Sequence, residues 1–308
     1  MSLPCLAELM PRLMHPQVRD LAWALLSPPL LSITPSPQRH PLAASRWASR
    51  PGELADWLLL HDAQPSVLQT WLAQHSIRRL GLYYERLWQF ALGQAPDVDL
   101  LVANLPIRHG GHTLGELDLV VHDADGVHHL ELAVKFYLGL EFGDRRKHDH
   151  WLGPGSHDRL DIKLQRLCDH QLQLSSSTHA KALLAELTCR DIHSALWLGG
   201  YLFQPWPPGC EAPAGANPLH LGGRWMRQRD WAGASATRSA ARWQPLPRQS
   251  WLAPAMLDDD HTWPAEDVEQ WLEDGGKHAR LMARVERAPQ GGWVERERLF
   301  VVPDQWPE

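Results

Sequence analysis

A chain of 308 residues with 44% hydrophobic and 21% charged content is long enough to bury a sizeable core and is not of disordered composition. A formal net charge of −6 excludes a uniformly basic nucleic-acid coat but leaves room for a local basic patch. The four cysteines (Cys5, Cys168, Cys189 and Cys210) form no C-x-x-C pair, which argues against a zinc ribbon or a disulfide framework.

In chain order, Val18, Leu21, Ala22, Leu25 and Leu26 predict a short helix, followed over residues 27–52 by a proline-rich strap and then by a helical piece from Glu53 to His61. The longest periodic segment runs from about Ser66 to Leu92, with Leu80, Tyr83, Tyr84, Leu87, Trp88 and Ala91 on one stripe and Glu85 on its flank. Strands are expected over Val98 to Asn104, Thr113 to His122 and Val127 to Leu138. A helix from about Ser156 to Leu174 follows, then a buried strand from Ala195 to Phe203, expected to lie parallel to a neighbour with that helix as crossover. Pro205, Pro207 and Pro208 mark a boundary. Beyond it lie a helix at Ala265 to Leu272 and strands at His278 to Arg287 and Gly292 to Val302. The organisation read from this is a helical N-terminal region (1–62), an α/β core (63–205) and a Trp/Arg-rich, mostly β accessory region (206–308).

No apolar run reaches the roughly 18 residues of a membrane span, and the first twenty residues lack a positive n-region. No membrane association is expected, and the expected location is cytoplasmic.

Asp125-Gly126 between two alternating runs signals a two-residue hairpin. With those residues at the turn centre, Glu116 lies opposite Lys135, and Glu131 lies diagonal to Asp118; a longer turn would slide this register. Two carboxylates about 5 Å apart repel by roughly 3 kcal/mol at an effective dielectric of about 20. Such a cluster calls for a cation, a lysine or a proton. Mg²⁺ or Mn²⁺ suits the all-oxygen set Asp118, Glu131 and Glu116, and Lys135 on the same face is placed to orient a water. The same pattern also fits an ordinary cross-strand ion pair on a solvated face.

These segments resemble the PD-(D/E)XK nuclease-like superfamily, whose core is αβββαβ. Gly115-Glu116-Leu117-Asp118 is similar to its second-strand acidic motif, Glu131-Leu132-Ala133-Val134-Lys135 to its third-strand acid-and-lysine motif, and Glu85 to its first-helix glutamate. Leu80 to Leu87, Trp151 to Leu167 and Gly200-Tyr201-Leu202-Phe203 further resemble the bacterial domain-of-unknown-function family numbered 1853. The resemblance implies a metal-dependent phosphodiesterase acting on DNA or RNA, with Asp118, Glu131, Lys135, Glu116 and Glu85 catalytic. One departure stands: the superfamily has one residue between acid and lysine, and here three intervene. Either Glu131 supplies the carboxylate from one pleat earlier, or the domain no longer catalyses and binds nucleic acid or a protein partner.

Two basic features complete the reading. Arg159, Lys163, Arg166 and His170 share a helical face, either a phosphate grip (Arg159, Lys163 and Arg166 being the nucleic-acid contacts) or a solvated surface paired with neighbouring aspartates. Arginines from Arg224 through Arg238 to Arg248 interleave with Trp225, Trp231, Trp243 and Trp251, as in single-strand binders or in a small β domain whose arginines lie along indoles.

Overall fold

The structure, a computed structural model, describes residues 3–74, 79–206, 211–231, 242–274, 278–289 and 291–307. Pro207, Pro208, Cys210 and Arg238 of the sequence reading lie outside these residues. The helices are α1 (Leu6–Leu9), α2 (Pro16–Leu26), α3 (Arg46–Ser49), α4 (Pro51–Ala63), α5 (Ser66–Ala73), α6 (Leu80–Leu92), α7 (Leu160–Arg166), α8 (Thr178–Leu184) and α9 (Ala265–Glu273). The strands are β1 (Asp99–His109), β2 (His112–Asp123), β3 (Gly126–Gly139), β4 (Trp151–Leu152), β5 (Ile192–Pro205), β6 (Leu221–Arg227), β7 (Arg242–Leu246), β8 (Met256–Leu257), β9 (Arg280–Arg287) and β10 (Trp293–Val302). The α/β class and the order helix, three strands, helices, strand follow the periodicity. Among the described residues no helix is long and apolar enough to cross a membrane.

The chain forms two compact units: residues 1–134 with 163–199, and residues 135–162 with 200–308. In the first, β1 and β2 pair antiparallel, as do β2 and β3, and β5 neighbours β3. His129 on β3 meets Ser194 on β5, and Lys135 meets Gly200 at the same sequence offset, so these two strands run parallel, with α7 and α8 in the connection between them. The proline-rich strap is an ordered part of this unit. Its backbone bonds β5 through Leu30 N–H to the Leu198 carbonyl (2.8 Å), Leu196 N–H to Pro37 (3.0 Å) and Arg39 N–H to Leu196 (3.1 Å). Leu30, Leu31 and Leu42 anchor it in the core.

The stripe between Ser66 and Leu92 is two helices, α5 closing at Gln74 and α6 opening after Arg79. The apolar face of α6 packs inward, and buried Tyr83 donates to Asp20 on α2 at 2.9 Å. That contact fixes the rotation of α6 and so sets where Glu85 points.

The expected helix from Ser156 to Leu174 is shorter than its periodicity suggests. It runs regularly only through α7, widens into a π-helical turn at Leu167–Gln171 and ends in a 3-10 turn at Leu174–Ser176. Leu172 N–H bonds the Leu167 carbonyl at 2.9 Å, an i→i+5 link that rotates the following residues off the simple stripe.

In the second unit the strands run in the order β3-β5-β6-β10-β9-β7, with β4 on β3 and β8 on β10. β6 is parallel to both β5 and β10, whereas β9 pairs antiparallel with β10 and β7. Val268 and Leu272 of α9 pack with Met226, Trp243, Met282 and Leu299 in one core cluster. Gly200 is required by close approach. Its φ is +138°, and a Cβ there would lie 1.7 Å from the Lys135 carbonyl oxygen.

Candidate acidic site

The hairpin closes at Asp123↔Gly126, so Ala124 and Asp125 are the central turn residues and the register is two residues away from the expected one. The cause is local. Asp123 Oδ1 accepts the Asp125 N–H at 2.9 Å, an Asx turn that tightens the loop one position early, and Gly126 at φ +125° carries the chain into β3. Glu116 is therefore not opposite Lys135.

The β2–β3 ladder ends at Leu119↔Leu130. One step beyond, the strands part, and the Asp118 carboxylate stands in for a ladder bond by accepting the Leu132 N–H at 2.9 Å. The fork so formed gathers four carboxylates. Burial is the main influence on Asp118, followed by the charges of Glu131 and Glu85; together they push its pKa up to about 8, against the opposing pull of the Leu132 N–H and of Lys163. Glu85 is pushed up to about 7, again first by burial and then by Glu116 and Glu131, while an Asn104 hydrogen bond and Lys163 act the other way.

Neutral amides and an imidazole hold the cluster together. Asn104 Nδ2 donates to Glu116 (2.9 Å) and to Glu85 (3.3 Å), and Gln89 donates to Asn104 Oδ1 (2.5 Å). Asn104 falls between the pairs Ala103↔Leu119 and Leu105↔Leu117, across from Asp118, and has φ +52°, a left-handed conformation inside a strand. Asparagine tolerates this better than most residues. Glu131 is fully buried; one oxygen is bonded by His129 Nε2 (2.8 Å) and the other by Gln171 Nε2 (2.5 Å). His129 Nδ1 meets Ser194 Oγ at 3.3 Å, and Ser194 meets Ser175 at 2.8 Å. Gln171 also accepts from Lys163 at 3.0 Å.

Glu85, Glu116, Asp118 and Glu131 are thus within electrostatic reach of one another. Lys135 is the first residue of the second unit, and its ammonium bonds Asp158 Oδ2 at 2.5 Å. The phenol of Tyr137, raised well above its usual range by burial and by Asp158, donates to Asp158 Oδ1 at 3.4 Å. Of the basic candidates, Arg159 precedes α7 and binds Asp161 through both Nε and Nη2, Lys163 serves the cluster, and Arg166 is exposed.

Asn104, Gln89, His129 and Gln171 are the members that sequence reasoning missed. His129 had a signal, since it stands two residues before Glu131 in an alternating strand. Among the described residues, no three His, Cys, Asp or Glu side chains form a ready cage for a metal ion. The donors are hard oxygens, and burial first, then the neighbouring carboxylates, raises the pKa of two of them, Asp118 and Glu85. Mg²⁺ typically takes only one or two carboxylates plus water; here both Glu131 oxygens are held by His129 and Gln171, and one Asp118 oxygen by the Leu132 N–H.

A family model described as a domain of unknown function (DUF1853) matches residues 19–302. No curated protein and no solved structure matches the chain.

Proposed function

The chain belongs to the DUF1853 family, and we propose that it is a divergent metal-dependent phosphodiesterase of the PD-(D/E)XK kind that acts on DNA or RNA. The observation that carries this reading is the fork at Asp118, where Glu85, Glu116, Asp118 and Glu131 converge, and burial, reinforced by the charges of Glu131 and Glu85, pushes the Asp118 pKa up to about 8. Carboxyls gathered and perturbed in this way are characteristic of functional sites, and a divalent cation would offset their mutual repulsion. Asp118 and Glu131, assisted by Glu116, would hold Mg²⁺ or Mn²⁺, and the bound ion supplies polarisation of a phosphodiester oxygen and a more acidic water.

The chain's own residues do the positioning. Asn104 and Gln89 orient Glu85 and Glu116, and His129 and Gln171 fix Glu131. Lys163 supplies a positive charge felt by both Glu85 and Asp118. In this reading Lys163 and Arg166, with Arg159, contact the nucleic-acid backbone, and Lys135 orients the attacking water.

One observation favours the second reading, a nuclease-like domain that has lost catalysis and binds nucleic acid or a protein partner. The Lys135 ammonium is engaged by Asp158, and both Glu131 oxygens are engaged by His129 and Gln171.

Thermal melting with and without Mg²⁺ or Mn²⁺ decides the metal. At 100-fold excess over Kd, binding stabilises by about 2.7 kcal/mol, and Asp118→Ala abolishes the gain. A wild type indifferent to both ions overturns the metal-dependent reading. Cleavage of a DNA and RNA panel that is lost in Asp118→Ala and Lys135→Ala establishes the chemistry, whereas cleavage that survives both substitutions belongs to a contaminant.

A further inference from the structure

The second unit contains a cleft of about 910 Å³, at the large end of the roughly 300–1,000 Å³ typical of small-molecule sites. Its walls carry Arg248, Arg280, Trp251, Trp271, His278 and Trp306, and among the described lining residues there is no aspartate or glutamate. Trp251 and Trp306 are buried in the wall and Trp271 is half-buried, so what the cleft presents is two arginines backed by indoles and no acid, which selects for an anion that also has a flat part able to stack.

Two details point to a ligand there, beside the observation that Nη1 of Arg280 and Nε1 of Trp306, buried behind the wall, find no hydrogen-bond partner among the described residues. The guanidinium of Arg280 lies 4.0 Å from the Trp271 ring centroid and that of Arg248 lies 5.5 Å from Trp251. A guanidinium backed by an indole is held flat, with its N–H edge aimed for bidentate contact and its outer plane free to stack. The wall segment 154–157 includes Ser156 at φ +65°, a left-handed conformation for a non-glycine residue, and such strain clusters where ligands bind.

We propose that this cleft binds a nucleotide, its phosphate on Arg248 and Arg280 and its base against the stacked guanidinium and indole planes. Inorganic phosphate alone leaves the guanidinium planes and the half-buried Trp271 unused, and an uncharged ring leaves both cations unanswered. The same chemistry is offered by a free nucleotide and by the phosphorylated end of a single strand. Bases stack on aromatic side chains and on arginine planes alike.

The test is calorimetric titration of the full chain in EDTA with adenosine 5′-monophosphate, adenosine, inorganic phosphate and a 5′-phosphorylated octathymidylate. EDTA keeps any metal out of the acidic fork, so the two proposals fail separately. The monophosphate should bind at least about tenfold more tightly than adenosine or phosphate, and Arg280→Gln should weaken it by about tenfold. Arg248→Gln should weaken it less, and Arg280→Lys should retain part of the affinity, with far-UV circular dichroism and melting unchanged in all three. Competition between the oligonucleotide and the monophosphate, or binding of the oligonucleotide alone with the same arginine dependence, assigns the cleft to a strand end. Binding of the monophosphate without competition assigns it to a free nucleotide. The proposal falls if neither ligand binds, if phosphate binds as tightly as the monophosphate, or if both Arg248→Gln and Arg280→Gln leave affinity unchanged.

Discussion

Two clusters of charge, one in each unit, are built in opposite ways. In the first, Glu85, Asp118 and Glu131 are like charges in a shared low-dielectric fork, and two of them answer by holding protons near neutrality. In the second, buried charge is complementary: Arg298, 2% exposed, bonds Glu295 and the carbonyls of Trp251 and Ala253 while lying 4.5 Å from the Tyr201 ring centroid. Arg242 and Arg287 flank Trp293 at 4.3 and 4.8 Å, and Arg224 covers Trp206 at 4.4 Å. Complementarity of this kind stabilises a fold. Like-charge crowding, offset here in part by Lys163, Asn104 and the Leu132 N–H, lowers stability.

The contrast can be broken by substitution, and the largest effect belongs to the second unit. Arg298→Met strands Glu295 and two carbonyls in the interior and should cost about 3–5 kcal/mol, read from denaturant midpoints. A loss below about 1 kcal/mol would show that this buried pair is no keystone.

Next comes an effect of opposite sign. Folded Asp118 keeps its proton to about pH 8. An unfolded aspartate loses it near about pH 4, so the folded state binds more protons between these limits and stability falls as pH rises through them. In EDTA at pH 8, Asp118→Asn should therefore be more stable than wild type by about 2 kcal/mol, discounted for partial exposure, with a flatter melting profile between about pH 4 and 8. Identical pH profiles for the two proteins would remove the electrostatic argument for the fork.

Asn104 sharpens the comparison on the backbone side. Asn104→Ala keeps a Cβ in the left-handed region and loses the bonds to Glu85 and Glu116, so a cost of about 1–2 kcal/mol is expected; Asn104→Gly should cost about 1 kcal/mol less. If alanine proves no worse than glycine, the strand is not held in that conformation in solution. The smallest effect is at exposed Glu116, where Glu116→Gln should shift stability by under about 0.5 kcal/mol while still reducing any gain conferred by Mg²⁺.

β1 to β3, β5, β9 and β10 were legible in their apolar runs and α6 in its stripe, whereas β4, β6, β7 and β8 were not, and β3 is buried on both faces, so its alternation does not report burial. The register was less legible. Asp125-Gly126 has the composition of a two-residue turn, but the Asp123 side chain moves the turn one residue earlier, a competition that spacing cannot weigh. Glu85, Glu116, Asp118 and Glu131 were readable as acids on paired elements. Gln171 was not, because it reaches Glu131 only through a π-helical turn, and a 3.6-residue period cannot reveal an extra residue in a turn. Asn104 was hidden for a related reason, since a left-handed residue inside β1 leaves the pattern of apolar neighbours intact.

The strap between α2 and α3 has a practical consequence for anyone trimming this chain. Its carbonyls and amides satisfy Leu196 and Leu198, which would otherwise present open hydrogen-bonding groups along a hydrophobic strand. A fragment started near Arg46 would carry that sticky border into solution, and self-association through it would be expected even with every acidic residue of the fork still in place.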